Sequence, residues 1–174
     1  MIVFHGSTRR IDQFTSDMIT QQPLPNDIDS IGYWFTSDIE AAKPFAIGTM
    51  TSYEKSASEF WEDGEPKVVQ IERPVTGYIY KVYIDDPKMK VYETYEMFMA
   101  ERDRYCDYFR KQTWKDPGIL LNKPEANHNF RKHLIGQKYD GFLIRNIQLH
   151  ERKMDLSCFF EHGILQIAQV IPLE

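Results

Sequence analysis

The sequence predicts an α+β fold, and three observations carry that expectation. Short apolar and aromatic runs bounded by turn residues lie at both ends of the chain. Helical spacing of apolar residues concentrates between about 92 and 136, and the order strands, helices, strands lacks the alternation of a parallel βαβ array. With 174 residues, 42% hydrophobic and 14% aromatic, the chain can build one packed core, and residues 1–174 read as a single domain.

Val3 and Phe4 begin a first strand that runs into His5 and Gly6. Residues 8–30 are rich in Thr, Ser, Gln, Pro and Asp, and Pro23 and Pro25 make "QQPLPNDIDS" a loop because proline cannot donate to a ladder. Tyr33-Trp34-Phe35 is a strand of rigid side chains suited to a pleated surface. Ser37 or Asp38 then caps a helix over 39–46, with Ile39, Ala42 and Ala46 on one face and Pro44 keeping it short or kinked. Residues 49–66 show no apolar pattern, and "EDGE" within them is a turn. Two strands follow, Lys67–Ile71 and Gly77–Ile84, the second closed by Asp86-Pro87. A long helix covers 92–114 on the stripe Met97, Ala100, Tyr105, Tyr108 and Phe109, and "KDPG" ends it. A second helix spans Pro124–Gly136, with Gly136 as the glycine just past its end. "YDGFLIRN" is a strand, and "LSCFFEHGILQIAQVIPL" supplies one or two closing strands.

A formal net charge of −5 argues against a protein whose main work is neutralising phosphates. The basic segments "ERDRYCDYFRKQTWK" and "NFRKHLIGQK" read as solvated helix faces. No stretch approaches the roughly 20 apolar residues that cross a bilayer, and "MIVFHGSTRR" lacks the layout of a signal peptide. Cys106 and Cys158 stand far apart without CxxC spacing, which fits a reduced, intracellular chain. Motifs of the Walker, GxGxxG, HExxH and GxSxG kinds are missing, and the histidines His5, His128, His133, His150 and His162 have no metal-ligand spacing beyond a weak His128–His133 pair. The sequence therefore assigns no metal.

Three separated features carry chemistry. His5-Gly6-Ser7 ends a strand with an imidazole, a glycine that lets a ligand approach the backbone, and a hydroxyl, all able to bind sugar hydroxyls or a carboxamide. Trp34 on a strand and Phe45 on the following helix, ten residues between them, can wall a slot for a flat ring. Asp155 before "LSCFF", or Glu161 after it, offers a carboxylate that could face a ribose and stabilise an oxocarbenium-like transition state.

In this order the pieces resemble the ADP-ribosyltransferase superfamily, in its poly(ADP-ribose)-polymerase-like branch of the His–Tyr–Glu type. They are similar in particular to the small transferase domains of phage and bacterial polyvalent proteins. "FHGST" resembles the family's first-strand His-Gly-Ser/Thr, and "GYWFTSDIEAAKPFA" its Gly-x-Tyr-Phe strand and small-residue helix. The Trp34–Phe45 interval is similar to the family's Tyr-x10-Tyr spacing, and "YIYKVYIDDPK", "YDGFLIRN" and "FFEHGILQI" resemble its later strands. The resemblance covers most of the chain except about 92–120, which looks like a helical insertion.

The resemblance implies a split antiparallel β-sandwich with flanking helices. It implies that His5 holds the nicotinamide-ribose hydroxyls of NAD, that Gly6 bonds the carboxamide through its backbone, and that Ser7 assists nearby. Trp34 and Phe45 would sandwich the nicotinamide, with Tyr33 second because a one-residue step along a strand reverses the face. The family acid lies four residues before a conserved aromatic; counting from Phe159 gives Asp155, and counting from Phe160 gives Leu156. The implied activity is NAD-dependent mono-ADP-ribosyl transfer, with His5, Trp34 and Asp155 as catalytic residues, NAD as substrate and a protein acceptor ahead of a nucleic acid. A delivered toxin or effector would fit that activity. The rival expectation is a non-catalytic relative that binds NAD, ADP-ribose or a partner; RNA 2′-phosphotransfer would call for a more basic surface. The segment 92–116 is expected either to recognise the partner or to cap the sheet.

Overall fold

The computed structural model describes residues 1–20, 28–115, 123–149 and 152–174. The loop expected at 21–27, the helix stop at Asp116-Pro117-Gly118 and His150 lie outside the described residues. The strands are β1 Ile2–Ser7, β2 Tyr33–Thr36, β3 Ile47–Phe60, β4 Pro66–Thr76, β5 Tyr78–Tyr83, β6 Met89–Tyr92, β7 Gly141–Leu149, β8 Arg152–Phe159 and β9 Gln166–Pro172. The helices are α1 Asp17–Thr20, α2 Ile39–Ala42, α3 Tyr95–Lys115 and α4 Lys123–Gly136.

The class is α+β, as the pattern of elements predicts. Seven strands form one sheet in the order β6-β7-β8-β2-β1-β5-β9, while, among the described residues, β3 and β4 pair only with each other. Two details correct the expected sandwich. The sheet is continuous rather than two sheets face to face, opening between β1 and β2, where one registered pair, Phe4↔Thr36, joins the strands. And β6 runs parallel to β7. Parallel neighbours need a crossover, and α3 and α4 supply it, so the segment read as an insertion is the connection between two adjacent strands.

Alternation along β1 and β2 sorts their side chains onto two faces. Val3, Tyr33 and Phe35 join Tyr80, Val82, Ile84 and Phe159 on one face, covered by Ile11, Phe14 and Ile19 from the segment after β1. The other face packs against the crossover helices: Phe98 and Phe130 meet Phe142 and Cys158, with Phe98 and Phe142 stacked at 5.0 Å. Phe98 is fully buried and Arg102 nearly so, hence the first turns of α3 serve as a cap on the sheet. Towards β5, Ala42 and Ala46 close onto Ile79.

Local chemistry explains the elements. Asp38 is the cap of α2, its carboxylate accepting from the Glu40 N–H at 2.9 Å. Pro44 then diverts the chain into a 3-10 turn, Lys43–Ala46, so the single helix expected over 39–46 is two short pieces. The expected C-terminal glycine of α4 is a correction: Gly136 stays inside the helix and Lys138 takes the left-handed position with φ 66°. The Lys138 N–H donates to Ile135 O at 2.8 Å and the Tyr139 N–H to Leu134 O at 3.2 Å, the paired bonds of a Schellman ending.

The stretch 49–66 is also corrected. It is not patternless coil but most of a long ribbon, β3 and β4 in register from Ile47↔Thr76 to Lys55↔Val68. Its turn falls at "EDGE", where Gly64 adopts φ 86° and its N–H donates to Trp61 O at 2.9 Å. A ribbon wetted on both faces has no reason to alternate apolar with polar residues, which removes the signal used to find strands. The four-residue β6 was likewise missed, being too short for a pattern.

Candidate ligand-binding cleft

Where β1 and β2 part, the sheet holds a cleft of about 480 Å³ lined by the ends of both strands. The volume falls within the roughly 300–1,000 Å³ of small-molecule sites. His5, Gly6, Ser7, Tyr33, Trp34 and Phe45, all proposed from sequence, line it together. Residues up to forty positions apart meet because β1 and β2 are neighbours and the turn after α2 returns Phe45 to the end of β1.

His5 spans the opening. Its Nδ1 lies 2.9 Å from the Trp34 carbonyl oxygen, and since a carbonyl can only accept, Nδ1 carries the proton and Nε2 is left as an acceptor. The ring packs among Phe14 and Phe35, each at 5.6 Å, and Tyr80 at 6.4 Å. Burial lowers the His5 pKa, outweighing the bond to Trp34 O that would raise it. The imidazole is therefore neutral at pH 7, a fixed acceptor suited to a ligand hydroxyl.

Gly6 has a packing reason to be glycine. A Cβ there would sit 2.1 Å from the Ala42 carbonyl oxygen and 3.0 Å from the Ala46 nitrogen. The absent side chain thus brings α2 and the following turn onto β1 and sets Phe45 at the cleft. Ser7 Oγ accepts from the Arg9 N–H at 3.1 Å and keeps its own proton to donate.

The aromatic walls are unequal. Phe45 is 49% exposed and offers an open ring. Trp34 sits edge-on to Phe142 at 5.4 Å and Phe98 at 6.1 Å, which commits most of its indole to the helix-covered core. Its Nε1–H is buried with no partner among the described residues. Tyr33 lies on the His5 face, as strand alternation requires; its hydroxyl donates to Thr15 O at 2.7 Å, and burial raises its pKa.

The acid candidates fall elsewhere. Asp155 Oδ1 accepts from the Asn146 N–H at 3.2 Å. Asn146 has φ 55° and lies in the irregularity of β7 between Ile144 and Ile147, so this carboxylate pins a bulge. Glu161 stands 4.0 Å from Arg131 at the far end of β8. Between them Leu156, opposite Thr36, reaches the cleft wall. Of the two registers counted from Phe159 and Phe160, the one ending on Leu156 coincides with the cleft.

Arg9, Arg10, Phe14 and Asp29 are among the lining residues that escaped the sequence reading. The signal for the arginines was their place directly after "HGST"; Phe14, a lone aromatic in a polar stretch, was another. Asp29 gave none, because its position depends on the 3-10 turn Asp29–Ile31. That turn is tied to the crossover by Asn127, which accepts from buried Arg102 at 3.0 Å and donates to Ser30 at 2.8 Å.

Among the described residues, no group of three or more His, Cys, Asp or Glu side chains is placed to hold a metal ion. Nor is any described helix long and apolar enough to cross a membrane. No family model, curated protein or solved structure matches the chain.

Proposed function

We propose that the cleft binds NAD and that the chain is a mono-ADP-ribosyltransferase of the kind its sequence resembles, acting on a protein acceptor. The observation that carries this reading is the His5 bridge across the parted strands, which fixes a neutral imidazole with Nε2 free to accept at the cleft. Phe45 presents a ring face for a flat heterocycle. Arg9 and Arg10 at the lining suit a pyrophosphate, and Asp29 suits ribose hydroxyls.

In this reading the protein orients the nicotinamide riboside. The C1′–N bond breaks with its electron pair leaving on nicotinamide, an acceptor nucleophile bonds C1′, and the acceptor's proton passes to solvent. The placing of Leu156 rather than Asp155 on the cleft wall favours a second reading, a module of the same type that binds NAD or ADP-ribose without turning it over.

One experiment separates the two. The protein is titrated with NAD and with ADP-ribose by calorimetry, then incubated with NAD and protein acceptors while free nicotinamide and transferred label are measured. Binding with nicotinamide release, both lost in His5→Ala, supports transfer. Binding without release supports the second reading, and binding of neither ligand overturns both.

A further inference from the structure

The β3–β4 ribbon has no place in the cleft. Among the described residues it pairs with nothing but itself, and a lone two-stranded ribbon is marginally stable in water. Large apolar side chains nevertheless crowd it: Tyr53 is 69% exposed, Trp61 58% and Phe60 54%, with Met50 and Val68 similar. Isolated exposed apolar residues are ordinary, but Phe60 and Trp61 are adjacent at the tip and the register sets Tyr53 diagonally across from Val68 on one face, and such clustering on one element marks an interaction surface.

Charge selects the kind of partner. Residues 47–76 carry six acidic against three basic side chains, and four of the seven residues 59–65 are acidic. Arg73 is held by Glu54 at 2.8 Å and Lys67 by Glu59 at 3.8 Å. Glu62, Asp63 and Glu65 have no cation among the described residues and flank Phe60 and Trp61 at the tip. Phosphates, anionic membranes and a second copy of this acidic chain are repelled by such a tip.

The backbone selects the mode. Each strand has one open edge, and prolines guard such edges. β4 contains Pro66 and Pro74, whereas β3 contains none in fourteen residues. The free edge of β3 is thus the one able to accept a further strand.

We propose that the β3–β4 ribbon is a docking arm for a basic polypeptide, which adds as an extended strand along β3 while its lysines or arginines meet the acidic tip. The root of the arm adjoins the cleft: Gly48 packs on Thr8, and the Gly77 N–H donates to Ala46 O at 2.8 Å. A docked chain is therefore held beside the cleft mouth, and the docking itself does not depend on what the cleft binds.

The test uses a labelled twelve-residue peptide alternating lysine with valine, its glutamate-for-lysine counterpart, and a lysine peptide N-methylated at alternate backbone nitrogens. Binding is read by fluorescence anisotropy. The lysine peptide binds, at least tenfold more weakly when N-methylated, and again at least tenfold more weakly at high salt, where surface attractions are screened. A variant carrying Glu62→Lys, Asp63→Lys and Glu65→Lys loses at least tenfold with its melting temperature unchanged; Trp61→Ala gives a second, charge-neutral loss. The proposal is overturned if the lysine peptide fails to bind, if the glutamate peptide binds equally, or if the charge-reversed variant retains binding. Preference for anionic vesicles overturns it, as does a dimer in sedimentation that the tip substitutions dissolve.

Discussion

His5 is the side chain on which fold and cleft both depend, and replacing it separates its two contributions. In His5→Phe the ring contacts with Phe14 and Phe35 survive, but nothing donates to Trp34 O across the opening. An unpaired buried acceptor costs about 1–3 kcal/mol, and this bond is part-buried at the cleft, so His5→Phe should lower unfolding free energy by about 1 kcal/mol. His5→Ala also removes the ring contacts, each worth ~0.5–1.5 kcal/mol, and should lose about 2–4 kcal/mol. Urea unfolding followed by tryptophan fluorescence gives both values, with an unchanged m-value showing that only stability has moved. Both variants should lose NAD binding, because neither carries the Nε2 acceptor. If His5→Phe is as stable as wild type, the bond to Trp34 O does not hold the two halves of the sheet, and the argument from the bridge fails.

Four other outcomes are expected. Leu156→Glu places a carboxylate on the cleft wall and should raise nicotinamide release from NAD at least tenfold, whereas Asp155→Ala should leave NAD affinity unchanged and cost about 1 kcal/mol through the loss of its bond to the bulge; a large affinity loss in Asp155→Ala would return that residue to the site. Lys138→Gly removes the strain of a left-handed lysine, partly offset by greater unfolded-state freedom. It should gain about 0.5–1 kcal/mol, a rise of about 1–4 °C in Tm by calorimetry. The lowered His5 pKa has a definite sign. Above its ordinary value of 6.5 the imidazole is neutral folded and unfolded, and its contribution is fully present. Below that value only the unfolded chain takes up the proton, so stability falls with pH until the lower folded pKa is reached, by up to about 1.4 kcal/mol per pH unit. Urea unfolding between about pH 7.5 and 5 should show a steeper decline for wild type than for His5→Phe; parallel declines would contradict it.

Much of this was legible locally. The strand at Tyr33-Trp34-Phe35, the cap at Asp38, the diversion at Pro44, the turn at "EDGE" and the helices on either side of 116–122 each follow from a few adjacent residues, because propensity, capping and proline geometry act over one turn of chain. The gathering of His5, Gly6, Ser7, Trp34 and Phe45 in one cleft could also be anticipated, though only from the order and spacing of whole segments. Other features required the assembled sheet. Whether Asp155 or Leu156 meets the cleft is a one-residue difference on a strand, and the pairing of β8 with β2 sets it. Asp29 reaches the lining on a turn that the Arg102–Asn127–Ser30 network ties to the crossover, and the helical insertion became a crossover once β6 paired with β7. The sequence by itself determined the α+β class and the residue types at the site, since both are written in local chemistry. Which face each side chain takes, which acid stands apart and which strand edge stays open were decided by tertiary structure, because register and strand neighbours arise from contacts distant in sequence.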